Sequence, residues 1–131
     1  MIDTCKILKE AKSIAVVGFS KNKSKTSRQI AMFLKSVGYQ IFAVNPTIDE
    51  MEIEGVPVFK SLLEIKERID IVNVFRRSED IPEIIEDVLA IKPKVLWLQL
   101  GIWNDAAVKP VKDSNITVIQ DTCIYVEYNN C

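Results

Sequence analysis

Histidine is missing from this sequence of 131 residues, and glycine, at four residues, and cysteine, at three, are scarce. The lack of imidazole removes histidine general bases, phosphohistidine intermediates and histidine metal ligands from the candidate mechanisms. The cysteines, Cys5, Cys123 and Cys131, are odd in number and widely spaced. They therefore predict neither a disulfide framework nor a zinc cluster.

Long apolar runs are also missing. None approaches the ~20 residues of a membrane span, and the N-terminal segment lacks the apolar core of a signal peptide. The net charge of −1 gives no global signal of nucleic-acid binding. We therefore expect a cytoplasmic protein with no membrane and no nucleic acid among its partners. Apolar content of 48% and charged content of 27% are typical of a globular chain, and the length favours one domain over residues 1–131.

Short apolar runs alternate with segments of helical periodicity. From Ile30 to Val37, for example, apolar residues recur at the spacing of one helix face. Short extended pieces are predicted at 56–59 and 124–128, and a short helix at 61–68. The main apolar runs predict five strands: 13–17, 40–44, 70–75, 95–100 and 117–120.

Alternating strands and helices predict an α/β fold, in which a doubly wound parallel sheet carries helices on both faces. With the five strands numbered in chain order, we expect the order 3-2-1-4-5 and a switch point between strands 1 and 4. Ligands of such sheets bind at the carboxyl ends of the strands beside the switch point.

The residues that follow the predicted strands are mostly glycine, proline or polar. Each has a structural explanation as a turn or a solvated edge, but together they lie at the edge that this fold uses for ligands. That shared position favours a binding site. The segments are Gly18-Phe19-Ser20, Asn45-Pro46, Phe75-Arg76-Arg77, Gln99-Leu100-Gly101 and Asp121-Thr122-Cys123.

Four cations, Lys21, Lys23, Lys25 and Arg28, lie between the first strand and the first turn of the next helix, with no acid among them. They are either a solvated loop tip or the contacts of a phosphate-rich ligand at a helix N-terminus. The second interpretation is favoured, because helix N–H groups, dipole and lysines would converge on the anion.

The two standard nucleotide motifs are absent. A dinucleotide fingerprint needs two further glycines after Gly18, but Phe19 and Ser20 follow it, and the next glycine is Gly38. Asn45 stands where an acidic ribose ligand is expected. No Gly-Lys-Ser/Thr motif of a P-loop occurs.

Several segments nevertheless match a known family. Gly18-Phe19-Ser20, Val44-Asn45-Pro46, Val74-Phe75-Arg76-Arg77-Ser78, Trp97-Leu98-Gln99-Leu100-Gly101 and Asp121-x-Cys123 resemble the small stand-alone CoA-binding domain proteins. These proteins look like the CoA-binding domain of the succinyl-CoA synthetase α subunit without its ligase domain. The resemblance extends over about residues 12–123, and it implies a Rossmann-like fold with CoA in the switch-point crevice.

The resemblance also implies roles for individual residues. It places Gly18, Phe19, Ser20 and Ser27 at the pyrophosphate, Asn45 and Pro46 at the adenosine end, Phe75 and Arg76 on the opposite wall, and Gln99 and Gly101 along the pantetheine. CoA also carries a 3′-phosphate, which gives Lys25 and the other loop cations a ligand.

Catalysis is not predicted, because no serine or cysteine has an evident paired base. Cys123 is interpreted as structural, with disulfide exchange with CoA as the alternative. Three functions stay open: a non-catalytic CoA or acyl-CoA binder acting as carrier, sensor or regulator; the CoA-binding subunit of a split acyl-CoA ligase; and an NAD(P)-dependent oxidoreductase. Both a homo-oligomer and a separate ligase partner are compatible with the sequence.

Overall fold

A seven-stranded sheet forms the centre of the computed structural model, which describes residues 2–131. The strands are β1 (Ser13–Val17), β2 (Gln40–Val44), β3 (Glu52–Ile53), β4 (Val56–Phe59), β5 (Ile71–Val74), β6 (Val95–Leu98) and β7 (Thr117–Ile119). The α-helices are α1 (Thr4–Glu10), α2 (Thr26–Ser36), α3 (Pro82–Ile91), α4 (Asp105–Asp113) and α5 (Ile124–Asn129). Within these residues, no helix has the length and apolar character needed to cross a membrane.

The sheet is mostly parallel, with strand order β3-β4-β2-β1-β5-β6-β7 and a single antiparallel pair, β3 with β4, among the described residues. Strands β1, β5 and β6 are buried along their whole length, as expected for strands covered by helices on both faces. The predicted α/β class with a doubly wound parallel sheet is therefore confirmed.

The predicted order of the five strands is wrong in one respect. The third predicted strand, which becomes β5, pairs with β1 instead of lying outside β2. The outer position belongs to β4, which the sequence predicted as an extended piece but not as part of the sheet. Pro57 in β4 is compatible with this place near the sheet edge, because proline cannot donate to a central ladder. The switch point therefore lies between β1 and β5.

Two apolar layers cover the two faces of the sheet. Ile85 of α3 and Val108 of α4 belong to one layer, and Leu8 of α1, Leu34 of α2 and Ile124 of α5 belong to the other. This arrangement brings the beginning of α2 and the chain before α5 to the carboxyl edge of the sheet.

The C-terminal segment differs from its prediction. The expected extended piece at 124–128 is the helix α5, in which Tyr125 and Tyr128 pack edge-on against Phe33 at 4.7 Å and 5.5 Å between ring centroids. Packing on α2 outweighs the strand preference of these β-branched and aromatic residues. The predicted helix at 61–68 is reduced to a 3₁₀ turn, Leu62–Glu64.

A disulfide joins Cys5 to Cys131, contrary to the expectation of no disulfide. The two Cα atoms lie 5.6 Å apart although the residues are 126 positions apart in sequence. Helices α1 and α5 bring them together, and the Thr4 hydroxyl donates to the Glu127 carboxylate at 2.8 Å in the same contact. The pairing depends on tertiary packing, which cysteine spacing does not reveal.

Candidate functional site

A cleft of about 710 Å³ lies at the carboxyl ends of β5 and β6, beside the N-terminus of α2. We call it the switch-point cleft. Its lining includes four residues that the sequence proposed for a ligand site, namely Phe75, Arg76, Gln99 and Gly101. Thr26, Ser78 and Cys123 line it as well. Its volume lies in the range of roughly 300–1,000 Å³ that is usual for small-molecule sites.

The other proposed residues lie beside this cleft rather than in its lining: Gly18, Phe19, Ser20, Lys25, Ser27, Asn45 and Pro46. They occupy the turns after β1 and β2 and the start of α2. The Asn45 amide joins these turns, because its Nδ2 donates to the Phe19 carbonyl at 2.8 Å while its Oδ1 accepts from the Thr47 amide at 2.9 Å. The two groups of residues form one continuous edge of the sheet.

At Gly18 the turn after β1 passes close to the end of β5. The Gly18 φ of +90° lies in the left-handed region, and a Cβ atom there would collide with the Phe75 carbonyl oxygen. Only glycine allows the turn after β1 to pass this close to the end of β5. The glycine is therefore required by backbone geometry at the switch point.

Phe19 and Ser27 contribute less side-chain surface than the sequence suggested. Phe19 is fully buried in the core, with the Arg28 guanidinium 5.5 Å from its ring centroid, and its carbonyl accepts from Asn45, so it offers no exposed surface to a ligand. Ser27 is 7% exposed in the first turn of α2.

Arg28 has a structural role that corrects its interpretation as an anion contact. It is 3% exposed; its Nη1 donates to the Lys21 carbonyl at 2.8 Å, and its Nη2 pairs with the Glu54 carboxylate at 2.7 Å. This guanidinium holds the pKa of Glu54 below its ordinary value, mainly through the hydrogen bond. Arg28 thus ties the loop before α2 to the segment before β4.

The loop lysines are also partly neutralised. Lys21 pairs with Glu50 at 2.6 Å, and Lys23 lies 3.9 Å from the Glu54 carboxylate. Lys25 makes no ion pair with residues 2–131 and precedes α2 as its cap, without a side-chain hydrogen bond. No acidic residue occupies the first turn of α2. Free N–H groups and one unpaired lysine therefore lie at this helix N-terminus, an arrangement that suits an anion.

Arg76 and Arg77, although adjacent, differ in their partners. Arg77 is bound by Asp80 at 3.0 Å, a contact that raises the pKa of the arginine and lowers the pKa of Asp80, in each case mainly through the side-chain hydrogen bond. Within the described chain, Arg76 forms no ion pair although it lines the cleft. Arg76 therefore presents the more available positive charge.

Gln99 is 5% exposed and held in one orientation. Its Oε1 accepts from the Ile124 amide at 3.3 Å and lies 3.5 Å from the Asn73 Nδ2. Because the Ile124 amide only donates, the atom facing it must be the oxygen, and Nε2 is left without a partner among residues 2–131. Gln99 thus supplies a fixed donor in the wall of the cleft.

Asp121 is a residue whose role sequence reasoning missed. Its carboxylate accepts from the Gly101 amide at 2.7 Å, while its own backbone has a left-handed φ of +53°. It therefore fixes the turn after β6 that lines the cleft. The motif Asp121-x-Cys123 was part of the family resemblance, but nothing in it indicated this backbone contact.

Cys123 is a free, half-buried thiol in the cleft lining. Both of its interpretations, structural and reactive, stay predictions. Residues 2–131 contain no group of three or more metal-ligating side chains placed to hold an ion.

Comparisons with known proteins agree with this geometry. The sequence profile described as "CoA binding domain" matches residues 12–129. The chain is 45% identical over 122 residues to the uncharacterized protein YneT of Bacillus subtilis, covering 93% of this chain and 89% of that protein. The structure of cell-free ID.343 from Thermus thermophilus superposes with a TM-score of 0.93 at 33% identity, covering 98% of both chains.

A more distant relative is an enzyme. The ADP-forming acetate–CoA ligase of Methanocaldococcus jannaschii is 30% identical over 82 residues, which cover 63% of this chain but only 11% of the ligase. Because the profile covers most of the sequence, this chain belongs to the CoA-binding domain family. The Rossmann-like α/β fold and the suspected family are thereby confirmed.

Proposed function

We propose that this protein binds CoA or an acyl-CoA in the switch-point cleft and acts without catalysis, as a carrier, sensor or regulator. The observation that carries the proposal is a pair of available cationic features beside one cleft: the N-terminus of α2 with Lys25, and Arg76 after β5. A ligand with several phosphates uses both.

CoA fits these residues in chemistry as well as in charge. Its pyrophosphate suits the free N–H groups of α2 beside Gly18, Ser20 and Ser27, and Lys25 is available to the 3′-phosphate. The adenosine end is assigned to the turn of Asn45-Pro46. The amide groups of pantetheine suit the fixed donor of Gln99 and the exposed backbone of Gly101. These assignments are predictions of the same proposal.

A ligase role in a larger assembly is the second candidate. This chain is 34% identical over 80 residues to a Pyrococcus furiosus protein named acetate–CoA ligase (ADP-forming) I subunit alpha. The match covers only 17% of that protein. This chain would then supply the CoA site to a separate catalytic chain. Co-purification of a stoichiometric partner with an ATP-grasp-type sequence supports this role, whereas a protein that purifies alone supports the non-catalytic one.

The proposed site is tested by Arg76→Ala, with Arg68→Ala as the matched control. Arg68 is an exposed arginine before β5, at the opposite edge of the sheet. Loss of a hydrogen bond to a charged group costs about 1.5–3 kcal/mol, so calorimetry should show roughly 10- to 100-fold weaker CoA binding for Arg76→Ala. Unfolding midpoints should stay near wild type for both variants. Unchanged CoA affinity in Arg76→Ala contradicts the proposed site.

A further inference from the structure

The loop between β6 and α4 displays large apolar side chains to solvent. Leu100 is 64% exposed and Trp103 is 55% exposed, with the half-buried Ile102 between them. We call Leu100, Ile102 and Trp103 the apolar lip. Exposed apolar residues that lie beside a cleft are a common mark of a binding surface.

The backbone of the apolar lip is firmly held, so its exposure does not come from a loose loop. The backbone amides of residues 101–104 each donate a hydrogen bond, and the side-chain amide of Asn104 donates another. The hydrogen bonds are Gly101 N to Asp121 Oδ1 at 2.7 Å, Ile102 N to Gln99 O at 3.0 Å, Trp103 N to Ser78 Oγ at 3.1 Å, Asn104 N to Gln120 Oε1 at 2.8 Å and Asn104 Nδ2 to Ser78 O at 3.0 Å. A fixed backbone reduces the entropy lost when a ligand binds.

The apolar lip continues the switch-point cleft outward. Leu100 and Ile102 belong to the cleft lining, and Trp103 is bonded to Ser78, which also lines it. Gln99 directly precedes the apolar lip in the sequence and also lines the cleft, and its free amide donor suits a carbonyl oxygen. In the pose of the proposed function, Gln99 and Gly101 lie along pantetheine, whose far end bears the acyl group.

We propose that the apolar lip binds the acyl chain of an acyl-CoA, and that the preferred ligands carry an uncharged apolar acyl group. This inference rests on the proposed function. An acyl group that ends in a carboxylate, such as succinyl, would have to give up water around its charge to lie on the apolar lip, so it is expected to bind more weakly than an apolar acyl group. Free CoA leaves the apolar lip uncovered and binds more weakly than the matching acyl-CoA.

Calorimetric titration with CoA, butyryl-CoA, hexanoyl-CoA and succinyl-CoA tests the inference. Each methylene that is fully buried on binding should raise the affinity roughly fourfold. Hexanoyl-CoA is therefore expected to bind at least tenfold more tightly than CoA. Trp103→Ala should remove most of this gain while CoA affinity stays within about twofold. Leu63→Ala is the matched control, because Leu63 is a 57% exposed leucine of the 3₁₀ turn outside the cleft lining.

Tryptophan fluorescence gives a second readout. Of the two tryptophans, Trp97 is fully buried and Trp103 is exposed. Hexanoyl-CoA should shift the emission to shorter wavelength, and Trp103→Phe should abolish the shift while largely keeping the affinity gain.

Each outcome separates the two proposals. If CoA binds but affinity does not rise with chain length, the acyl inference is overturned and the proposed function stands. If no CoA derivative binds, the proposed function itself fails. If Trp103→Ala converts a dimer to a monomer without changing ligand preference, a second copy covers the apolar lip, and the acyl inference is overturned.

Discussion

Removal of the Cys5–Cys131 disulfide tests how strongly the two ends of the chain are held beside the sheet. The link closes a loop with a sequence separation of 126. For a loop of that length, chain-entropy arguments give a stabilisation of about 5 kcal/mol, because the link restricts the unfolded ensemble. With an unfolding entropy of roughly 2.1 cal/mol/K per residue, this predicts a fall in Tm of about 15–20 °C for Cys131→Ser.

The native contacts between α1 and α5 should survive this substitution. The hydrogen bond between Thr4 and Glu127 and the packing of Tyr128 on Phe33 do not involve either sulfur atom. The effect is therefore expected in the unfolding free energy, with little change in circular dichroism. Thermal and guanidinium unfolding, with and without reductant, measure it.

Cys123→Ser is the matched control, because Cys123 is a free thiol. It should unfold close to wild type under oxidising conditions, and reductant should lower its stability as it lowers that of wild type. The reasoning is refuted if Cys131→Ser is as stable as Cys123→Ser before reduction. It is also refuted if reductant destabilises Cys131→Ser as much as wild type.

Three further substitutions have defined outcomes. Gly18→Ala places a Cβ against the Phe75 carbonyl at a left-handed φ, so chemical denaturation should show a loss of about 1–3 kcal/mol; wild-type stability refutes the close approach. Asp121→Ala removes the acceptor of the Gly101 amide and should weaken CoA binding measured by calorimetry. Asp121→Asn keeps an acceptor oxygen and should bind CoA nearly as tightly as wild type. If Asp121→Ala binds CoA as tightly as wild type, Asp121 does not position this turn for the ligand. The pKa of Glu54 is lowered in the folded state, so its ion pair stabilises above the ordinary pKa of 4.5 and is lost as pH falls through the folded value. Glu54→Gln should therefore unfold more easily than wild type at pH 7 in urea titrations, and the difference should shrink as the pH falls below 4.5. A difference that is constant with pH would contradict this assignment.

Local sequence patterns predicted the elements that are buried on both faces. The apolar runs at β1, β5 and β6 and the helical spacing of α2 each specify one element without help from distant residues. The place of β4 was missed because it is a four-residue strand near the sheet edge whose only signal was a short extended piece. The strand order depends on which strand pairs with the outer edge of β2. That pairing is set by tertiary contacts, which the local patterns of the five predicted strands do not reveal.

The candidate site was likewise predictable in part: the sequence indicated which residues meet, but not which of the charged residues pair. The topological rule predicted that Phe75, Arg76, Gln99 and Gly101 meet at one edge, and they share one cleft. The partners of the loop cations were not predictable, because they lie far along the chain, in the segment after β2. Glu50 follows its partner Lys21 by 29 positions, and Glu54 follows its partner Arg28 by 26 positions. Arg28 therefore looked available in the sequence and is buried in the structure.

The central claim is that the switch-point cleft binds CoA, and parallel calorimetric titrations with CoA, dephospho-CoA and NADH test it most directly. The account predicts one CoA per chain, weaker binding of dephospho-CoA because Lys25 loses the 3′-phosphate, and the weakest binding for NADH because the second and third glycines of a dinucleotide site are absent. Tighter binding of NADH than of CoA, or no binding of CoA to protein free of ligand, would contradict it.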